Sequence, residues 1–169
     1  MAALILLDVD GVLNPSVRSD RASGSHRLEL EPERAALVAR LAAVGTIVWA
    51  TTWPPRLTRV LAQDLGLPAG TEAIAFDGGL PRDPRFPGRT GKLQPVAVWL
   101  EAAAERGAID AVVWIDDNLH EDAYDWAREQ STPFHLVRPE SATGLTSDEV
   151  AGAEHFLAGL PASHGDIRE

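Results

Sequence analysis

The stretch Ala3-Leu4-Ile5-Leu6-Leu7-Asp8-Val9-Asp10-Gly11-Val12-Leu13-Asn14 is an apolar run that stops at two carboxylates and a glycine. Apolar residues in such a short run, bounded by a turn signal, predict a strand buried on both faces. Strands of that kind belong to parallel sheets covered by helices. Ligands of parallel sheets bind at the carboxyl ends of the strands, and Asp8 and Asp10 stand at that end.

Two more segments have the same shape. Thr46-Ile47-Val48-Trp49-Ala50 runs into Thr51-Thr52-Trp53, and Ala111-Val112-Val113-Trp114-Ile115 runs into Asp116-Asp117-Asn118. Phe134-His135-Leu136-Val137 reads as a last strand, and Ala73-Ile74-Ala75-Phe76 as a short one. Helical patterns lie between them. Glu31-Pro32-Glu33 opens a helix with proline and acidic groups in the first turn, burying Leu37, Val38, Leu41 and Val44 before Gly45 stops it. Pro54-Pro55 starts another, with Leu57, Val60, Leu61 and Leu65 sharing a side up to Gly66. A third spans about 92–106 and buries Leu93, Val96, Ala97, Leu100 and Ala104; a fourth spans 121–130. The last begins at Thr146, which with Glu149 has the spacing of a capping box, and faces Val150, Ala153, Leu157 and Leu160 inward.

Strands alternating with helices predict a three-layer α/β domain with a central, mostly parallel sheet and right-handed crossovers. The 169 residues suit one domain, here 1–160, with a small polar tail at 161–169 expected to fray. Residues 14–30 and 77–91 read as irregular loops too short to bury cores of their own. The first could act as a lid over Asp8 and Asp10.

Composition narrows the chemistry. With 45% hydrophobic and 24% charged residues the chain is ordinary globular material. It contains no cysteine, which excludes disulfides, thiolate metal sites and a cysteine nucleophile. No apolar run approaches the ~20 residues of a membrane span, and the start lacks a basic leader, so no membrane role and a cytoplasmic location are expected. A net charge of −10 disfavours nonspecific nucleic-acid binding, the only basic cluster being Arg82, Arg85 and Arg89.

Four features fall at ends of elements: Asp8 with Asp10, Thr51, Lys92, and the Asp116-Asp117 pair. A parallel sheet would gather them on one edge. Crowded carboxylates repel unless a cation joins them, and an all-oxygen cluster suits Mg²⁺. A hydroxyl and an ammonium beside it would donate to phosphoryl oxygens. Asp8 is then a candidate nucleophile, since carboxylates form covalent phosphoryl intermediates.

In this order the four elements resemble the haloacid dehalogenase (HAD) superfamily: DVDGV at Asp8 to Val12, a strand-terminal Thr51, Lys92 ahead of a helix, and the acidic pair of WIDDN. The resemblance implies a Rossmann-like HAD fold. It makes Asp8 the nucleophile and Asp10 the general acid, then base, with its backbone carbonyl on Mg²⁺. Thr51 and Lys92 would hold the phosphoryl oxygens, with Thr52 beside them, and Lys92 would steady Asp8. Asp116 and Asp117 would complete the metal site, Asp117 being favoured as the direct ligand because Asp116 continues the strand. Asp122 would support from behind. An acid at position 10 is what phosphatases of the superfamily carry, so a phosphoric monoester phosphatase is implied. DVDGVLNP, VWATTW and WIDD are further similar to HAD domains associated with RNA repair proteins, which implies a nucleic-acid end, or a small molecule, as the phosphorylated substrate. Neither loop is long enough for a sizeable cap domain, so the resemblance implies an open site, a macromolecular substrate or a partner acting as cap.

Other readings have less behind them. An EF-hand loop would need a glutamate where Ser19 stands. A P-loop would need glycine at Phe86 and a hydroxyl at Leu93. A receiver-like phosphoacceptor places its acidic pair after the first strand, whereas here the pair comes last. A catalytically weak HAD-like domain serving binding or regulation is the alternative within the fold. Thr51 or Thr52 could instead cap a helix. Trp49, Trp99, Trp114 and Trp126 read as packing; Trp53 could border the site. His120, Arg18, Arg21 and Arg138 lie where they could reach it, and the remaining histidines show no zinc-ligand spacing.

Overall fold

The computed structural model describes residues 2–15, 30–76 and 89–160. Along these run four strands, β1 (Ala3–Leu7), β2 (Thr46–Trp49), β3 (Ala111–Ile115) and β4 (Phe134–Val137). The helices are α1 (Pro32–Val44), α2 (Pro55–Asp64), α3 (Leu93–Arg106), α4 (Glu121–Arg128) and α5 (Ser147–Ala158). The strands form one sheet in the order β2-β1-β3-β4, every neighbouring pair parallel. The tail at 161–169 and most of the two expected loops, with Arg18, Arg21, Arg82 and Arg85, lie outside the described residues.

Alternate side chains of the strands point to opposite layers. Ile5, Leu7, Ile47, Trp49, Val113 and Ile115 pack with Leu37, Val38 and Leu41 of α1, Leu61 and Ala62 of α2, and Val150, Ala153 and Leu157 of α5. Leu6, Val48, Val112 and Trp114 pack with Val96 and Leu100 of α3 and Ala123 of α4. Both faces of β1 and β3 are therefore dry, which is why these strands read as continuous apolar runs rather than alternating ones. This is the three-layer, Rossmann-like arrangement, and the described residues form no further group of elements that would serve as a cap.

The chain winds from β1 to β2 on one side and from β3 to β4 on the other, so the order reverses between β1 and β3. Ligands of such sheets bind outside the strand ends at that reversal. Leu7 pairs in register with Trp49 on one side and Ile115 on the other. The hydrogen bonds continue one residue further: Asp8 N donates to Ile115 O at 3.0 Å, Ala50 N to Leu7 O at 2.9 Å, and Asp116 N to Val137 O at 3.1 Å.

Local chemistry accounts for most boundaries. Pro32 opens α1, and Gly45 closes it in an extended conformation, at a place where a Cβ would press into the Ile5 side chain. The capping box of α5 is complete, Glu149 N donating to Thr146 Oγ1 at 3.3 Å and Thr146 N to Glu149 Oε2 at 2.8 Å. Three expectations need correction. Val60 is 52% exposed, because α2 is rotated to bury Thr58 and Ala62 beside Leu61. Thr58 fits there by donating its hydroxyl to Pro55 O. Ala103 takes the inward place expected of Ala104. The strand expected at 73–76 shrinks to a single bridge between Trp49 and Ala73, although Ile74 is buried below it.

Candidate active site

Of the residues picked out in the sequence, Asp8, Lys92 and the Asp116-Asp117 pair meet where the sheet order reverses. Asp8 follows β1 and Asp116 follows β3 on the adjacent strand, and Lys92 arrives from the start of α3. The Lys92 ammonium lies 2.6 Å from Asp8 Oδ2 and 2.8 Å from Asp116 Oδ2, and all three side chains are nearly inaccessible to water. Asp116 turns its other oxygen to the Asn118 amide at 2.9 Å. Lys92 is the sole lysine of the chain, against fourteen arginines. Guanidinium is larger and planar, so a compact ammonium that fits between two carboxylates is not replaced by it.

Asp117 completes the group. Oxygens of Asp8, Asp116 and Asp117 lie within 4.8 Å of one another, in the arrangement expected of residues that hold a cation. Ser141 donates its hydroxyl to Asp117 Oδ2 at 2.5 Å, and Arg138 Nε donates to the Asp117 carbonyl at 3.3 Å. Gly11 lies directly beneath this carboxylate. Its φ is +77°, and a Cβ there would overlap the Asp117 carboxyl group. The turn that brings Gly11 into place is tight, with the Val9 carbonyl accepting from Val12, Leu13 and Asn14 amides.

The electrostatics follow from burial. Loss of water pushes the Asp8 carboxyl up to about 7; Lys92 pulls it down, while Asp116 pushes it further up. Burial alone would favour a neutral Lys92, yet Asp8 and Asp116 outweigh it and hold the ammonium above its ordinary range. Asp8 and Asp116 share one ammonium and Asp117 lies beside them, with the Arg138 guanidinium only on its carbonyl, so the three carboxylates carry a surplus of negative charge when all are ionised. An all-oxygen donor set with that surplus fits Mg²⁺.

The other expected residues are placed differently. Thr51 is buried just beyond β2, and its hydroxyl oxygen accepts a long bond, 3.4 Å, from the Trp53 amide. Thr52 is exposed and caps nothing, because the residue flanking α2 is Pro54, without a side-chain bond. Asp10 is half-buried, and its carboxylate stands outside the three-aspartate group. Trp53 packs partly against the core. Asp122 is engaged by Thr90: both its oxygens accept the Thr90 amide at 3.1 Å, and Oδ1 also accepts the Thr90 hydroxyl at 2.9 Å. Sequence reading missed Thr90, Asn118 and Ser141. Lys92's being the sole lysine was a signal available for that residue; Ser141 has none, since its contact depends on how the chain returns from β4. A groove of about 550 Å³, lined by Leu4, Thr46, Trp99 and Arg106 among others, lies at the opposite, amino edge of the sheet.

A parallel sheet of this order, carrying aspartates after β1 and β3 and a lysine between them, defines an HAD-type domain. The family model described as the HAD domain in Swiss Army Knife RNA repair proteins matches residues 4–150, and the chain belongs to that family. The match supports a hydrolase of the HAD superfamily and displaces the receiver-like reading. Neither the curated proteins nor the solved structures hold a match to the chain.

Proposed function

We propose that the protein is a Mg²⁺-dependent phosphomonoesterase that works through an aspartyl-phosphate at Asp8, with a nucleic-acid end phosphate as its favoured substrate. The observation that carries this reading is the buried Asp8 carboxylate held 2.6 Å from the sole lysine at the reversal of the sheet. A nucleophile must be fixed in place and its ionised form favoured; an ammonium at this distance fixes Asp8 and offsets part of the burial that pushes its carboxyl up to about 7.

Asp8 attacks phosphorus, forming one P–O bond while the ester P–O bond breaks. The leaving oxygen takes a proton from Asp10. Asp10 then removes a proton from water as that water attacks phosphorus; the Asp8–phosphorus bond breaks, and inorganic phosphate leaves. Half-burial at the tight turn suits Asp10 to exchanging protons with solvent. Lys92 and the Thr51 hydroxyl donate to the phosphoryl oxygens, where charge builds up. Asp8, Asp117 and the Asp10 carbonyl would hold Mg²⁺, with Asp116 engaged mainly by Lys92. The ion, when bound, neutralises charge on the phosphoryl oxygens. The family's association with RNA repair supports the nucleic-acid substrate.

Turnover tests the proposal. Purified protein hydrolyses p-nitrophenyl phosphate and 3′- or 5′-phosphorylated oligonucleotides with Mg²⁺ and fails with EDTA, and Asp8→Asn abolishes the Mg²⁺-dependent rate. An Asp8→Asn protein with the rate intact would defeat the mechanism. Absence of hydrolysis on both substrate classes would favour a binding or regulatory domain.

A further inference from the structure

The Thr90 backbone and hydroxyl are gripped by the segment that follows the acidic pair. Thr90 is 5% exposed, and its amide donates to both Asp122 oxygens at 3.1 Å. Its hydroxyl donates to Asp122 Oδ1 at 2.9 Å and accepts the His120 amide at 2.8 Å. Its carbonyl accepts the Leu93 amide at 3.0 Å, closing the turn that contains Lys92. Thr90 belongs to the approach to α3, whereas His120 and Asp122 belong to the start of α4, just after the aspartates of β3. Every hydrogen-bonding atom of Thr90 therefore has a partner, and two of those partners come from the segment that follows Asp116 and Asp117.

Lys92 has a long, flexible side chain, and the residue flanking α3 on its amino side is Lys92 itself, with no side-chain capping bond. Without an external tie, the backbone at 90–92 would set the ammonium loosely against Asp8. We propose that Thr90 and Asp122 form a latch that positions Lys92 on Asp8, joining the lysine loop to the loop that carries Asp116 and Asp117. Both are positioning residues and touch no substrate. The proposal rests on the phosphatase reading for its effect on rate, but its geometric content stands apart from it. Asp122 thereby has a role toward Thr90 beside the supporting one that the resemblance implies for it.

Thr90→Val removes the hydroxyl at nearly equal volume, Asp122→Ala removes the whole acceptor, and Thr90→Ser keeps the hydroxyl. In p-nitrophenyl phosphate hydrolysis with Mg²⁺, Thr90→Val and Asp122→Ala lower kcat by about 10- to 100-fold with little change in KM, as a small misplacement of a catalytic group does. Thr90→Ser recovers most of the rate. Because Lys92 is the sole lysine, amine acetylation followed by peptide mapping reads its burial directly. It is slow in the wild type and Thr90→Ser, and fast in Thr90→Val and Asp122→Ala. Should Asp122→Ala fail to fold by circular dichroism, Asp122→Asn serves, since it keeps one acceptor and is expected to lie between. Wild-type turnover and lysine protection both unchanged in Thr90→Val overturn the latch while leaving the phosphatase reading intact. Equal losses in Thr90→Ser and Thr90→Val also overturn it. A wild type that hydrolyses nothing, but whose protected lysine is released by Thr90→Val, upholds the latch and defeats the phosphatase reading.

Discussion

Asp8 is a carboxyl group that folding has removed from water, and that alone gives the protein a pH signature. The folded Asp8 pKa lies at about 7 against an ordinary value of 3.8. The folded protein therefore keeps a proton that the unfolded chain has already released. Stability from this group is full below the ordinary value and declines as pH rises toward 7. Lys92 adds no slope in this window, because its raised pKa acts only above its ordinary range. In EDTA, the thermal stability of the wild type should fall from pH 5 to pH 7 relative to Asp8→Asn, by on the order of a few kcal/mol. Thermal unfolding of both proteins at matched pH measures it, and parallel curves would contradict it. Mg²⁺ should flatten the wild-type curve by keeping Asp8 ionised.

At the scale of elements, the turn after β1 matters as much as the strand. Gly11 combines a positive φ with a position against the Asp117 carboxylate. Gly11→Ala should cost about 1–2 kcal/mol for the backbone conformation alone. It should also weaken Mg²⁺, because Asp117 must move. Urea unfolding with and without Mg²⁺ separates the two effects, and an alanine variant with wild-type stability and metal response would contradict them. The glycine was legible as part of DVDGV, but not its contact with Asp117, which arises only when β1 and β3 lie side by side. The same limit explains the misreadings in the helices. Spacing along α2 allowed Val60 inward, and packing against β2 chose Thr58 and Ala62 instead. The run at 73–76 had strand composition, yet its pairing with β2 stops after one bridge. Strand β1, by contrast, was read correctly because burial on both faces leaves an unbroken apolar run.

Across the whole molecule, the chemistry depends on a property that no local segment possesses, the sheet order β2-β1-β3-β4. That order makes β1 and β3 neighbours, so residues more than one hundred positions apart, Asp8 and Asp116, share one ammonium. Chain order was visible in the sequence and suggested the family that the match over residues 4–150 establishes. Which carboxylate pairs with Lys92 was not visible, since both members of the acidic pair follow the same strand. Asp116 takes that place, deeply buried, while Asp117 leans toward Gly11 and Ser141.

The central claim is that phosphate passes through Asp8. Borohydride reduces an acyl phosphate to the alcohol, so an aspartyl-phosphate becomes homoserine. Protein quenched during hydrolysis of p-nitrophenyl phosphate with Mg²⁺, reduced and mapped by mass spectrometry, should carry homoserine at position 8 and at no other aspartate, with none when Mg²⁺ is omitted. Homoserine at Asp10 or Asp116, or steady turnover with no homoserine at position 8, would contradict the account.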